Sequence, residues 1–528
     1  MKRGYRKICL GKTAGILFFI CLVQLFLQGY YGKQKTFLMC DELFTYTSSN
    51  NAQIQAFDMP LNEWLDREWY LSQGAAMEGH TFDYGIPYRN QEADVHPPFY
   101  YMLMHTLCSF VPGKISIAVG VGLNMALMVG CTILLYLISR EIFKNRVIGL
   151  VVAGLFGVTY GACNTVLFVR MYTLFTLLIL VHTYIYLKFL EEERISLRVY
   201  VLLGATLVLG VLTHYYFILL AFFLAVWYFV KFWLQRCFRE QSYLHVTAEL
   251  SALICLAVFP AMWNHIFNDY RGKGARQSLL ELSGFRGNLK AMFQILNEQL
   301  FGGFFWLVFG AAILLLVIYL MKNRSFPWKD LGKLYPIFFM TAAYFILVTK
   351  IAPYMTDRYL MPLYPFIYII VVGGFCWFLG KLILPQRAMA LCAVAFLGMS
   401  GAKLIRDTPG YVYPEFPEHL QLASEYSDTY CVYIDREYNW WEYYDVIQLL
   451  KEYKGFYCIS YGNITADIEV AMQALEEEEK VVVYVGDSEL NEEITAYIQD
   501  TVGANEMELL DEYDRWKIYL GIRGSDER

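Results

Sequence analysis

The chain has 528 residues, of which 57% are hydrophobic, 17% aromatic and only 17% charged. Soluble domains carry roughly 25% charged residues, and the mean hydropathy of +0.37 excludes an ordinary soluble enzyme. The net charge of −6 conceals a split: from Ile405 onward there are 9 basic and 28 acidic residues, leaving 34 basic and 21 acidic residues before it. Two regions of opposite charge imply a membrane body and a separate polar domain.

A basic stretch (Lys2, Arg3, Arg6, Lys7, Lys12) precedes the first apolar run. No small-x-small cleavage site follows, so the run reads as a retained first span rather than a signal peptide. Apolar stretches near the ~20 residues that cross a bilayer fall at 13–31, 115–139, 147–166, 171–190, 199–213, 217–233, 246–266, 301–321, 334–349, 359–380 and 387–403. With the basic N-terminus inside, the positive-inside rule puts the basic loops 140–146, 188–198, 231–240, 322–333 and 381–387 on the inner side and the acidic tail outside. Two places strain this scheme. PPFYYMLMHTLCSFVP (97–112) is apolar but short, and reads as an amphipathic helix at the outer interface. The outer loop 267–300 carries Arg271, Lys273, Arg276, Arg286 and Lys290, a concentration of positive charge that would suit an anion.

In this topology the unusual polar residues collect on one face. Asp41 and Glu42 open CDELFTYTSSN just after the first span, and Asp94 and His96 lie in ADVHPPFYY. Arg170 and Tyr172 follow the third span, His214 and Tyr215 join the fifth and sixth, and Lys350, Asp357, Arg358 and Tyr359 lie between the ninth and tenth. Each is compatible with a plainer role. An acid in a first turn caps a helix, arginines snorkel and tyrosines form interfacial belts, and Pro suits a helix start. Together they outline a pocket for a lipid phosphate and a sugar, with cations for the phosphate, acids and aromatic faces for the sugar and apolar walls for the lipid.

The order of these motifs, from Asp41-Glu42 through HPPFYY, RMYTL, THYY and DRYLMPLYP, resembles the polytopic GT-C glycosyltransferases of the protein-mannosyltransferase and lipid A aminoarabinose transferase type (family 39-like). The resemblance covers residues 1–403. It implies a GT-C fold of about 11 transmembrane helices plus interfacial helices, and a sugar donor carried on polyprenyl phosphate. The acceptor hydroxyl would belong to a glycan, lipid or protein, the anomeric centre would be inverted, and the active site would lie on the outer side of the plasma membrane. The first-loop acid acts as general base in such enzymes, which maps onto Asp41, with Glu42 orienting the acceptor or the base. Arg358 and Arg170 would hold the leaving phosphate with Lys350 behind them, and Asp94 and His96 would line the sugar pocket or bind a cation. A divalent metal occurs in some relatives, and whether one acts here is left open. Membrane lipids are expected partners and nucleic acid is not. The alternative is a transporter or flippase of lipid-linked glycans without transferase chemistry.

Residues 404–528 form a second expected domain. TYCVYI, GFYCISY, KVVVYVG and WKIYLGI read as strands, and WWEYYDVIQLLKEY, ADIEVAMQALEEEE and SELNEEITAYIQDTV as helices. The alternation predicts a small α/β domain with a largely parallel sheet. Asn463-Ile464-Thr465 matches a glycosylation sequon, and Cys431 and Cys458 are the two cysteines of the tail, which leaves a disulfide between them possible.

Overall fold

The computed structural model describes the chain apart from residues 1, 54–59, 191–194, 282, 436–439, 461–469, 472–474, 476–477, 487–495, 497–498, 501–503, 514–515 and 524–528. It divides into two compact units: Met1–Lys35, Asp94–Tyr100 and Ala118–Val412 form one, and Thr36–Ala93, Tyr101–Ile117 and Tyr413–Arg528 the other. The sequence reading instead divides the chain at residue 404 and assigns the first loop to the membrane body.

The first unit is helical. Among the described residues 9 helices are long and apolar enough to cross a membrane, from Gly11–Gln34 to Pro385–Val412. Arg146–Phe156 and Tyr160–Leu167 form a further span bent by 60°, and Leu197–Val211 is a shorter apolar helix. These account for all eleven expected stretches. The bend has a local cause: Thr159 Oγ1 accepts the amide of Ala162 and starts a new helix. At Gly157 the buried Gln24 side chain comes so close that a β-carbon would lie 2.5 Å from its Oε1. The stretch expected at 246–266 is two helices, Phe238–Val258 and Ala261–Phe267, because Pro260 has no amide hydrogen to continue the ladder. The helix Phe99–Cys108 has 10 residues, well short of a span.

The second unit contains a mixed sheet. Its strands are β1 (Trp64–Leu65), β2 (Tyr430–Asp435), β3 (Gly455–Ser460), β4 (Lys480–Gly486), β5 (Ala504–Tyr513) and β6 (Trp516–Arg523), in the order β1-β3-β2-β4-β6-β5. β2 pairs in parallel with β3 and β4, while β1–β3, β4–β6 and β5–β6 are antiparallel. The sheet is therefore less parallel than expected, and β5 is a strand that the sequence reading passes over. Its acidic pattern, with Glu508 and Glu512 exposed, suits an edge strand that must resist further pairing. Val432, Ile434, Ile459, Val481, Val483 and Val485 fill one core face. The expected helix Trp440–Leu450 is present. Those at 466–479 and 488–502, with the Asn463 sequon, fall largely outside the described residues.

β1 belongs to the first loop, so loop and tail share one sheet. A second tie joins them: Asp445 Oδ1 accepts the Cys40 amide at 2.8 Å, and Gln448 both accepts the Leu38 amide at 3.0 Å and donates to its carbonyl. The helix Trp440–Leu450 thereby pins the backbone immediately before Asp41. Cys431 and Cys458 are buried, unbonded thiols, and across the β2–β3 ladder Cys458 faces Tyr433.

Candidate active site

In the second unit, Asp41 and Glu42 stand in the first turn of the helix Cys40–Asn50. Glu42 is fully buried, and its Oε2 accepts the Met39 amide at 3.1 Å, satisfying a donor that a helix start leaves over. Asp41 is only half-buried. The adjacent acids thus differ: Glu42 fastens the helix start, while Asp41 retains a partly accessible carboxylate.

The other candidate residues belong to the first unit, where a break in the polypeptide places Arg170. Residues 168–171 separate the helices Tyr160–Leu167 and Tyr172–Phe189, and such a break strands carbonyls in an apolar setting. Asn124, within the span Ile117–Phe143, answers this need. Its Nδ2 donates to the carbonyls of Val166 at 3.1 Å and Phe168 at 2.8 Å, and its Oδ1 accepts from the Tyr100 hydroxyl at 3.2 Å. Thr173 Oγ1 donates to the Thr165 carbonyl at 2.8 Å. Arg170, only 3% exposed, is held by its own amide on the Phe168 carbonyl at 2.7 Å.

His96 reaches this guanidinium. Its Nδ1 lies 2.7 Å from Asp94 Oδ2 and its Nε2 3.5 Å from Arg170 Nη2. Burial alone would raise the Asp94 carboxyl, but the charge and hydrogen bond of His96, the Val95 amide and Arg170 together hold it below the usual carboxylate range. Burial and the charges of Arg170 and Arg271 lower His96, outweighing Asp94. At neutral pH the assignment is an ionised Asp94 accepting from Nδ1–H of a neutral imidazole, whose Nε2 lone pair faces Arg170.

His214 lies on the turn between Leu197–Val211 and Phe217–Leu234. At Gly210 a β-carbon would lie 2.4 Å from the Phe217 ring, so only glycine allows this tight return. The Leu212 carbonyl accepts the Phe99 amide at 2.9 Å, docking the segment that follows His96. His214 Nδ1 accepts the Tyr216 amide at 3.0 Å, and burial with the nearby His96 and Arg170 pushes its pKa down to about 3. Its ring contacts those of Tyr172, Phe175 and Tyr216. Tyr216 continues to Tyr359 at 5.8 Å. Arg358 lies over Tyr359 and Tyr354, and Arg271 shares the Tyr354 ring at 5.6 Å. Arg271, from the basic loop 267–300, thus joins this wall.

The remaining expected residues are more peripheral. Tyr215 has its hydroxyl 2.8 Å from His265 Nδ1, and the Lys350 ammonium lies over the Phe285 ring. Asp357 receives the Tyr411 hydroxyl at 2.6 Å and Gln299 Nε2 at 3.4 Å. Burial raises its carboxyl to about 6, against the opposing pull of the Tyr411 hydrogen bond. Tyr411 stacks on Phe168 at 4.4 Å, Phe168 stacks on Tyr172 at 5.7 Å, and Lys35 Nζ donates to the Tyr411 carbonyl at 2.6 Å. Sequence reading missed Asn124, Tyr411 and Lys35. A buried asparagine in an apolar span was the available signal for Asn124; nothing local marks the other two. Among the described residues no group of three His, Cys, Asp or Glu side chains is arranged to hold a metal ion.

The membrane-length helices, with buried cations and aromatics at their broken ends, and the separate small α/β domain make up a polytopic membrane protein of the GT-C fold. The crystal structure of ArnT from Cupriavidus metallidurans bound to undecaprenyl phosphate matches with a TM-score of 0.55 and 9% identity, over 97% of this chain and 99% of that one. Its apo form gives 0.54 and 10%, over 98% and 100%. Residues 95–263, which carry His96, Arg170 and His214, match the family described as dolichyl-phosphate-mannose-protein mannosyltransferase. The chain thus shares the GT-C fold of ArnT, and its residues 95–263 are similar to the protein-mannosyltransferase family. No curated protein sequence matches it significantly.

Proposed function

We propose that the protein transfers a sugar from a polyprenyl-phosphate carrier to an acceptor hydroxyl, inverting the anomeric carbon, on the extracytoplasmic face of the plasma membrane. The observation that carries this reading is the buried Arg170 guanidinium, 3% exposed and set in a helix break beside a neutral His96. A buried cation facing a neutral imidazole suits a dianionic or monoanionic phosphate far better than a neutral ligand. Arg358 and Arg271 extend the positive wall, and Asp94, His96 and the rings of Tyr172, Tyr216 and Tyr359 suit the sugar.

In the proposed step the Asp41 carboxylate takes the acceptor O–H proton as its oxygen attacks the anomeric carbon. The bond from that carbon to the phosphate oxygen breaks, and its electron pair leaves with the phosphate. This leaving group is already anionic, so it needs positive charge rather than a proton. Glu42 fixes the helix start and so the direction of Asp41. The acceptor is a glycan, lipid or protein.

The test is incubation of the purified protein with radiolabelled polyprenyl-phosphate sugars and candidate acceptors. Turnover that disappears in Asp41→Asn supports the reading. Counterflow of the lipid-linked sugar in liposomes, with no transfer to any acceptor, would replace it with a transporter.

A further inference from the structure

From Tyr101 to Ile117 the chain belongs to the second unit and carries none of the candidate catalytic side chains. Most of the short helix Phe99–Cys108 falls here. Met104 and Cys108 face inward and are buried, whereas Met102, Leu103 and Leu107 are partly exposed and Phe110, just beyond the helix, is 70% exposed. Positions 102, 103, 106, 107 and 110 share one helical face. The face turned outward is therefore apolar, where a helix end in water would be polar. Its one polar side chain is already satisfied: Thr106 Oγ1 donates to the Met102 carbonyl at 2.7 Å and lies 3.1 Å from the Tyr84 hydroxyl.

A second segment completes the patch. Phe82 has a φ of 57°, in the left-handed region that a bulky side chain rarely enters. Its amide donates to Ser109 Oγ at 2.9 Å, and that hydroxyl donates in turn to the His105 carbonyl at 2.7 Å. The strained turn sets the Phe82 ring edge to face against Phe110 at 5.2 Å and still leaves it 44% exposed, with Tyr84 at 43%. Strain of this kind is ordinarily spent on burying a ring; here it holds one outward. Apolar residues scattered singly on a surface are normal, but a contiguous patch marks a contact.

We propose that this patch is a membrane anchor for the second unit, with Phe82, Leu103, Leu107 and Phe110 set into the headgroup–acyl boundary of the leaflet where the span Ile117–Phe143 begins. Continuity with that span selects lipid over any other occupant. Seven residues lead from Phe110 to Ile117, at most about 24 Å of chain, and they are no loose tether. The Gly113 amide donates to the Ala76 carbonyl at 2.9 Å, and the Ser116 carbonyl accepts the Tyr46 hydroxyl at 2.7 Å. Ile115 covers Gly74 so closely that a β-carbon there would lie 2.8 Å from its Cδ1. The patch is thus fixed to the point at which the chain enters the bilayer, where aromatic rings and amphipathic helices settle. Asp83, exposed between Phe82 and Tyr84, accepts the Gly85 amide at 3.0 Å, which suits the headgroup level and not the hydrocarbon. His105 Nδ1 lies 3.0 Å from Asn50 Oδ1, so the helix Cys40–Asn50, with Asp41, is tied to the anchored one. The anchor does not depend on the donor, the acceptor or the identity of the catalytic base.

The experiment uses the full-length protein in phosphatidylcholine vesicles, with the photoreactive residue benzoylphenylalanine in place of Phe82 or Phe110 in separate variants. Phe26, exposed on the first span, and Leu509, exposed on β5, are replaced in the same way as the lipid-facing and polar-domain references. Adducts are read by mass spectrometry after irradiation. Phospholipid adducts at positions 82 and 110 are expected within about threefold of the yield at 26 and roughly fivefold or more above that at 509. Phe110→Asp puts a charge on the patch and should cut the adduct at position 82 by about fivefold, while the protein elutes as a single folded peak. Adducts at both positions no more abundant than at 509, in variants that elute as folded protein, would overturn the proposal. So would crosslinks joining two copies of the chain in place of lipid adducts, which would mark a protein interface.

Discussion

His96 Nε2 faces Arg170 Nη2 at 3.5 Å, while the other nitrogen of the ring is held by Asp94 at 2.7 Å. The carboxylate fixes the imidazole tautomer, so the ring presents a lone pair to the guanidinium instead of a second positive charge. The Arg170 guanidinium is thereby spared repulsion from an imidazolium. Arg170→Gln is therefore expected to raise KM for the lipid-phosphate donor by more than tenfold with little change for the acceptor. Arg170→Lys should restore little of this, because a point charge does not reproduce the planar fork of donors. Steady-state kinetics with the two substrates varied separately checks both statements. A donor KM unchanged in Arg170→Gln would remove this residue from the phosphate site.

The two acids of the first loop are expected to separate in kinetics and stability. Asp41→Asn should lower kcat by a factor of ~10²–10⁴, the usual contribution of a general base, while expression and melting temperature stay near wild type. Glu42→Gln preserves an oxygen to accept the Met39 amide and should fold normally. Glu42→Ala loses that cap, at a cost of ~0.5–2 kcal/mol. Thermal melts run beside transfer assays distinguish the pair; a catalytic loss in Glu42→Gln as deep as in Asp41→Asn would give Glu42 a chemical role of its own.

Asp357 gives a pH-dependent prediction with a definite sign. Its carboxyl is raised by burial from the usual 3.8 to about 6, so the folded state favours the protonated acid. The contribution to stability is complete below about pH 4 and is lost as pH rises through about 6. Asp357→Asn cannot ionise and escapes this loss. Its melting temperature relative to wild type should therefore rise between pH 5 and pH 7.5, by the equivalent of roughly 1–2 kcal/mol. Tyr411→Phe, which removes the donor at 2.6 Å, should steepen the wild-type loss. A gap between Asp357→Asn and wild type that is flat across this range would contradict the assigned ionisation.

Much of this architecture was legible in the sequence because it rests on local patterns. Eleven apolar runs became helices, and the polar residues at their ends, Arg170, His214, Arg358 and Tyr359, were found because charge is rare in such a chain. The grouping of loop with tail was not legible. It depends on a two-residue strand, Trp64–Leu65, and on Asp445 and Gln448 binding amides some 400 positions earlier in the chain. No periodicity encodes a pairing at that separation. Pro260 could have been read as a break, but the apolar run across it concealed the break. Glu42 illustrates a different limit: a buried acid fastening a helix and one oriented for chemistry look alike until the Met39 amide is placed.

Asn124 offers the sharpest test of how the site is built. Its amide donates to the carbonyls of Val166 and Phe168, and Phe168 in turn holds the Arg170 amide. Asn124→Leu keeps the volume but withdraws both donors from a setting where each lost partner costs about 1–3 kcal/mol. The melting temperature should fall, and the helix break should relax toward continuous helix to recover hydrogen bonds. That relaxation would turn Arg170 away from His96. The expected kinetic signature is a rise in donor KM that follows Arg170→Gln in kind, with the double variant Asn124→Leu/Arg170→Gln little worse than Arg170→Gln alone. Fully additive losses in the double variant would mean that Asn124 stabilises the fold without positioning the guanidinium.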